Sequence, residues 1–265
     1  MAERHNAGDY NGLFVEERQR AIHDLLVRNG KVAVDELVAA FRVSAPTIRN
    51  DLARLEEQGL LRRTHGGAIA ASPTLYEPPF AQREVIRHAE KKAIARAAAS
   101  LIKDGETILL DAGTTTYELA LLLSDRPRLT VVTNSLANAQ ALADSSGVEV
   151  ILIGGTLQSR RRALLGPLAV QFLNAFHVDR SFVGVNGIHP EGGFTATDFG
   201  AAELKRRMMN CASQSVAIAD SGKIGRISFA KVAALGEASL LITDSNAAPE
   251  DVALCKDAGL NVLTA

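Results

Sequence analysis

The apolar positions of this chain recur in two rhythms, and the change comes after Ile102. Before it the spacing is helical. Ala21, Ile22, Leu25 and Leu26 form the inner face of a helix over Phe14 to Arg28, which Asn29-Gly30 ends. Val32-Ala33-Val34 is a short extended piece. Asp35 then caps a second helix, Glu36 to Phe41, that buries Leu37, Val38 and Phe41. After a turn at Arg42-Val43, Ser44 caps a third helix, with Pro46 in its first turn, where a missing N–H costs little. Ile48, Leu52 and Leu55 return at helical spacing and define its buried face; Gly59 stops it in the left-handed conformation that glycine adopts cheaply. Leu60 to Gly67 reads as a short basic hairpin. A long helix, two short helices around a tight turn, and a hairpin together predict a winged helix-turn-helix.

His88 to Ile102 is an Ala-rich helix, and beyond it short apolar runs alternate with helices. The expected strands are Thr107–Leu110, Leu129–Thr133, Glu149–Ile153, Ser181–Val185, Ser215–Ala219, Leu240–Thr243 and Asn261–Thr264. Helices are expected over Thr115–Leu123, Leu136–Ala143, Leu168–Phe176, Ala201–Cys211 and Pro249–Ala258. This alternation predicts an open, mostly parallel α/β sheet, whose ligands bind beyond the carboxyl ends of the strands. The expected order is therefore a disordered tail (1–13), a winged helix-turn-helix DNA-binding domain (14–70), a proline-bearing linker (71–87) and an effector-sensing α/β domain (88–265). Phe80 to Arg87 is expected to dock on one domain or the other.

The composition narrows the class. Of 265 residues, 47% are hydrophobic and 22% charged, as in an ordinary globular protein. The net charge of −1 excludes a chain that is basic all over, though a local patch can still carry a nucleic-acid footprint. Cys211 and Cys255 are the only cysteines, which fits a reducing cytoplasm and offers no disulfide or zinc framework. No apolar run approaches the ~20 residues of a membrane span, and the polar N-terminus has no signal-peptide core. No pair among the six histidines has metal-ligand spacing, so neither a metal nor a cofactor is expected.

Two sets of residues carry candidate chemistry. In the first half Ser44, Thr47, Arg49, Asn50 and Arg54 cap or line the exposed side of the third helix, from which side chains reach base edges in a major groove. Arg62, Arg63 and His65 on the hairpin suit phosphates or a minor groove. An ordinary charged helix and hairpin is the competing explanation. The basic surplus is modest, so affinity is expected to need more than one copy. In the second half, Asp111, Gly113, Thr114, Thr115 and Thr116 follow a strand and open a helix. Free amides, a helix dipole and hydroxyls there make an anion cradle. Asn134 and Ser135, Gly154 and Gly155 with Arg160 close behind, and Asp220 with Lys223 end other strands. That set suits a polyhydroxy compound carrying phosphate. The arginine run reads equally well as a solvated loop, Asp220 and Lys223 can pair with each other, and Ser, Asn and Gly also simply form turns.

These motifs in this order resemble the DeoR family of bacterial sugar-metabolism regulators over nearly the whole chain from Phe14 on. The resemblance rests on Val43-Ser44, Thr47-Ile48-Arg49 with Asp51-Leu52, Leu55-Glu56, and Arg63 to Ala68 in the first half. In the second it rests on Asp111 to Thr116, Val132 to Ser135, Gly154-Gly155, Gly166-Pro167, Gly184 to Gly187 and Asp220 to Gly225. It implies a repressor with a sensor fold similar to ribose-5-phosphate isomerase and a phosphorylated sugar or close metabolite as effector. It implies too that Asp111, Gly113 and Thr114 to Thr116 hold phosphate, with Asn134, Asp220 and Lys223 near the sugar. Asn50 departs from the family's usual second Arg, and Asn pairs with adenine rather than guanine. Ala201 departs from a usual Glu, which bears on the identity of the effector.

The expected function is thus a cytoplasmic, sequence-specific repressor of a carbohydrate operon, binding double-stranded operator DNA as a homo-oligomer (dimer or tetramer) and answering to a phosphorylated sugar. One rival is a sugar-phosphate isomerase with a DNA-binding appendage. It needs a positioned base, yet Asn186-Gly187-Ile188-His189 supplies no carboxylate before Glu191, which leaves Asp220. Another is a sensor that binds a partner protein instead of DNA.

Overall fold

Contacts divide the chain into two units, the second beginning at Glu77. The computed structural model describes residue 10 and residues 12–29, 31–57, 60–70 and 77–265. The helix stops expected at Gly30 and Gly59, residues 1–9 and 11 of the expected tail, and residues 71–76 of the expected linker lie outside the described residues.

The first unit consists of α1 (Val15–Asn29), β1 (Lys31–Ala33), α2 (Val34–Phe41), α3 (Ala45–Glu57), β2 (Leu61–Thr64) and β3 (Gly67–Ala70). Ile22 and Leu26 of α1, Leu37 and Phe41 of α2, and Ile48, Leu52 and Leu55 of α3 share one buried core. Two end effects differ from the sequence reading. Helix α2 begins at Val34, so Asp35 lies in its first turn, and it is Glu36 that takes the free N–H of Ala33 at 3.3 Å. Tyr10 and Leu13, expected in a disordered tail, pack on the core, with the Tyr10 ring 4.8 Å from that of Phe41. The hairpin is joined by β1 into a three-stranded sheet, order β1-β3-β2. Gly67 permits that join: a Cβ there would lie 2.0 Å from the Val32 carbonyl oxygen.

The second unit begins with α4 (Phe80–Val85) and α5 (His88–Leu101), then β4 (Thr107–Leu110), α6 (Thr114–Leu121), β5 (Leu129–Thr133), α7 (Leu136–Leu142) and β6 (Val148–Leu152). A hairpin of β7 (Thr156–Gln158) and β8 (Ala163–Leu165) leads to α8 (Pro167–Leu173) and β9 (Val178–Gly184). Then come β10 (Gly187–His189), β11 (Gly193–Ala196), α9 (Phe199–Asn210), β12 (Ala212–Ile218), β13 (Ala230–Ala233), β14 (Leu240–Thr243), α10 (Pro249–Asp257) and β15 (Val262–Thr264). Seven strands form one fully parallel sheet, order β15-β14-β12-β9-β4-β5-β6. Neighbouring residues of each central strand serve opposite faces, because strand side chains alternate. Ile108, Leu110, Val131 and Phe182 join a core with α5, α6 and α7, whereas Leu109, Val132 and Val183 join one with α8 and α9. Both faces are covered, which is why these strands read as continuous apolar runs.

Three features were not anticipated. The hairpin β7–β8 and the small antiparallel sheet β10-β11-β13 were not expected as strands. Phe80–Val85, expected in the linker, is a helix that packs on α6 within the second unit.

The strand order has one consequence for function. From β4 the chain moves through β5 to β6 at one edge, then returns to β9 on the other side of β4 and proceeds to β15 at the opposite edge. The crevice beyond the carboxyl ends of β4 and β9 is therefore the switch point, the place where open α/β sheets bind ligands.

Candidate functional sites

In the first unit, Ser44 caps α3, accepting from Thr47 N–H at 3.4 Å and meeting the Thr47 hydroxyl at 2.9 Å. Arg49, Asn50 and Arg54 are exposed on α3, as are Arg62, Arg63 and His65 on the wing. Asp51 faces the other way. Its carboxylate is buried against α1, accepting from Arg18 Nε at 2.6 Å and Gln19 Nε2 at 2.9 Å. This acid is neutralised inside the unit, so the exposed side of α3 is more basic than the sequence sum. Arg63 is engaged too. Glu56 accepts from its backbone N–H and from its Nε, each at 2.8 Å. The backbone hydrogen bond from Arg63 outweighs the opposing effect of desolvation and, with the side-chain contact, holds the Glu56 carboxyl below its ordinary range. Arg62 has no such partner in the described residues, so the two hairpin arginines, alike in sequence, differ in how firmly the unit itself holds them.

In the second unit the switch-point crevice is built on Asp111. It follows β4, is buried, and accepts from the Gly184 N–H at the end of β9 at 3.1 Å. It also accepts from Lys205 Nζ on α9. Asp111 therefore clamps the two strands and orients a lysine. Beyond it Gly113 caps α6 with no side chain to offer, leaving the first-turn amides without a side-chain acceptor. Thr114 and Thr116 are buried, and the Thr116 hydroxyl donates to the Gly113 carbonyl at 3.0 Å. Thr115 is the one threonine of the three left partly open.

A small cavity opens here. Ala112 and Asn134 line it, with Arg83, Arg161 and Lys205 as its cations and Glu77 and Asp111 as its acids. Asn134 is 1% exposed and donates to the Leu164 carbonyl, yet its buried Oδ1 has no partner among the described residues. Arg161 is held by the Thr197 hydroxyl at 2.9 Å, by Glu77 at 2.9 Å and by Asp198, the residue that caps α9. Arg83 meets the other oxygen of Glu77 at 2.8 Å.

The remaining expected residues divide. Ser135 is buried and spends its hydroxyl as the cap of α7, accepting from Asn138 N–H at 3.2 Å. Gly155 is a close-approach glycine, where a Cβ would lie 2.7 Å from the Leu165 carbonyl, and Gly154 beside it has open space. Of the arginine run, Arg160 has an exposed side chain, while its neighbour Arg161 turns into the cavity. Asp220 caps a short 3₁₀ turn at Ser221–Lys223 and faces Arg87 at 3.6 Å. Lys223 stands beside it, its amine lowered by burial despite Asp220; neither residue lines the cavity. Sequence reasoning missed Glu77 and Arg83 as site residues, and from the run Arg160-Arg161-Arg162 it singled out Arg160 rather than Arg161. Ala201, the departure from the family's usual Glu, lines the cavity, as does Lys205 one turn further along α9. Among the described residues no group of His, Cys, Asp or Glu is placed to hold a metal, and no helix is long and apolar enough to cross a membrane.

Residues 86–245 match the family described as the DeoR C-terminal sensor domain, and residues 18–74 that of the DeoR-like helix-turn-helix domain. An uncharacterized HTH-type transcriptional regulator of Bacillus subtilis, YulB, is 37% identical over 250 residues, covering 94% of this chain and 96% of that one. The HTH-type transcriptional repressor GlcR of the same organism is 39% identical over 234 residues, covering 88% and 89%. The putative aga operon transcriptional repressor of Escherichia coli O157:H7 is 33% identical over 265 residues, covering 99% and 98%. A ribose-5-phosphate isomerase structure overlaps 51% of this chain and 53% of its own with a TM-score of 0.39 and 15% identity, too little to carry an argument.

Proposed function

The chain belongs to the DeoR family of transcriptional regulators, and from that membership we propose that it represses a carbohydrate-metabolism operon and is controlled by a phosphorylated sugar bound at the switch-point crevice. A regulator, rather than an isomerase, is the reading its relatives support, since they are named regulators and repressors. The observation that carries the effector reading is the crevice itself. Three cationic side chains and an orphaned amide acceptor line one cavity where the strand order reverses, and Ala112 of that lining leads through Gly113 into the uncapped start of α6. Arg161 and Lys205 would take the phosphate with the amides of Thr114 and Thr115, and Asn134 Oδ1 would accept from a sugar hydroxyl. Ala201 in place of a larger side chain leaves room beside them.

On DNA, α3 would enter the major groove with Arg49, Asn50 and Arg54, while Arg62 and His65 of the wing meet phosphates. We infer a homo-oligomer, because paired half-sites need paired recognition helices, and a cytoplasmic location, where the operator and the metabolite are both found. Effector control then requires the ligand to prefer the DNA-weak state, by no more than its difference in affinity for the two. Thermal-shift screening of the full chain against phosphorylated sugars and polyols tests the site. A compound that raises the melting point of wild type but not of Lys205→Ala supports it; a compound that raises both equally argues that it binds elsewhere.

A further inference from the structure

The crevice already holds an anion, and the protein supplies it. Glu77 is the first residue of the second unit and lies seven positions past Ala70, where the wing strand β3 ends. Its carboxylate is 11% exposed and bridges Arg83 and Arg161, one oxygen to each, at 2.8 and 2.9 Å. Burial alone would raise its pKa. The nearby Arg83, Arg161 and Lys205, with a hydrogen bond from Asn186, more than offset that and hold it below the ordinary carboxylate value. The residues that follow are fastened over the same end of the sheet. Phe80 is 1% exposed, its N–H donates to the Arg160 carbonyl at 2.8 Å, its ring meets Tyr117 of α6 edge-on at 5.7 Å, and the Arg162 guanidinium covers its other side at 4.9 Å. Lys91 donates to the carbonyls of Arg83 and Ile86 at the end of α4. Arg87 donates to the Ser221 hydroxyl at 3.0 Å.

We propose that Glu77 is the resident anion of the effector site, and that a phosphate-bearing effector enters by taking Arg161 from it, so that Glu77 leaves with its other partner, Arg83 of α4, α4 undocks and the chain leading to the DNA-binding unit is released. This rests on the reading of the crevice as an effector site. A phosphate ester carries about twice the charge of a carboxylate and more acceptor oxygens, so it can win the Arg161 guanidinium. The internal carboxylate lowers the apparent affinity by the fraction of time it leaves the site open. Glu77 thereby sets both the concentration at which the sensor responds and the mechanical link to the headpiece, because the group displaced is part of the connecting chain.

The test uses the full chain as wild type, Glu77→Gln and Phe80→Ala, with inorganic phosphate as the probe. Calorimetric titration gives affinity, and hydrogen exchange over Phe80–Val85 reports whether α4 is docked. Removing the competing charge should tighten phosphate binding about tenfold, or about 1.4 kcal/mol. Phosphate should speed α4 exchange in wild type, and exchange should already be fast in Glu77→Gln. Phe80→Ala, which leaves every charge in place, should shift both readings the same way. Equal phosphate affinity in wild type and Glu77→Gln, or phosphate that protects α4 further, overturns the proposal while leaving the site intact. Absence of phosphate binding by all three chains overturns the proposal and the effector site together.

Discussion

Asp51 offers the sharpest test of how the headpiece is held together. The residue sits on the helix assigned to DNA, yet its carboxylate points inward to Arg18 and Gln19 of α1, and the paired side chains are only 9% and 4% exposed. Asp51→Ala leaves the Arg18 guanidinium buried with the Leu13 carbonyl at 3.3 Å as its remaining partner among the described residues. Breaking one side of a buried pair costs about 3–5 kcal/mol, whereas replacing both charges with apolar groups is often neutral or better. A headpiece of this size, at about 0.05–0.15 kcal/mol per residue, has a total stability of only about 3–9 kcal/mol. Asp51→Ala should therefore remove a third or more of it, and DNA binding with it. The double variant Arg18→Met, Asp51→Leu should recover most of the loss. Denaturation of the full chain, with hydrogen exchange in α1 and α3 to isolate the first unit, gives the numbers. A loss below about 1 kcal/mol for Asp51→Ala, or a double variant no better than the single, would refute the idea that an internal ion pair seats the recognition helix.

Two further outcomes follow from single contacts. Arg62→Ala should lower the salt slope of DNA binding by about one, and Arg63→Ala by less than half as much, because Glu56 already holds Arg63; equal slopes in a salt series followed by fluorescence anisotropy would show that Glu56 lets go on DNA. Burial lowers Lys91 to about 8 from 10.5, despite the raising influence of Asp220. At about 1.4 kcal/mol per tenfold change in proton affinity, the buried ammonium then costs the fold about 3 kcal/mol below pH 8. The unfolded chain binds the extra proton between those two values, so stability of the second unit should rise from pH 8 toward pH 9. Above that the buried thiols of Cys211 and Cys255, raised from 9.0, oppose the trend. Chemical denaturation showing stability flat or falling from pH 8 to pH 9 would contradict the account of Lys91.

Much of the scaffold was legible in the sequence for one reason. Strands Thr107–Leu110, Leu129–Thr133 and Leu240–Thr243 are buried on both faces and bounded by polar turns, so their limits could be read directly. The hairpin β7–β8 and the sheet β10-β11-β13 escaped because short, glycine-flanked segments carry little periodic signal and find partners far along the chain, as β11 does with β13. The site divides in the same way. Strand-end loops announced the crevice, since small and polar residues follow each apolar run. They could not say that Arg161 rather than Arg160 turns inward, because neighbouring residues of a loop differ only in direction. Nor could a proline-bearing stretch reveal Glu77, whose role comes from two guanidiniums, one of them far along the chain. The inward turn of Asp51 is hidden for the same reason: its partners lie more than thirty residues away.

The most direct measurement couples the two units. An operator is selected from a randomised duplex pool, and its binding to the full chain is followed by fluorescence anisotropy as phosphorylated sugars are added, for wild type and for Thr115→Glu. An acidic residue in the first turn of α6 suits the helix dipole, so that variant should fold and bind the operator as wild type does. It also places a carboxylate where the phosphate would sit. A sugar phosphate that shifts operator affinity of the wild type and leaves Thr115→Glu unmoved is the result expected of a metabolite sensor at the switch point; the same shift in both proteins would contradict it.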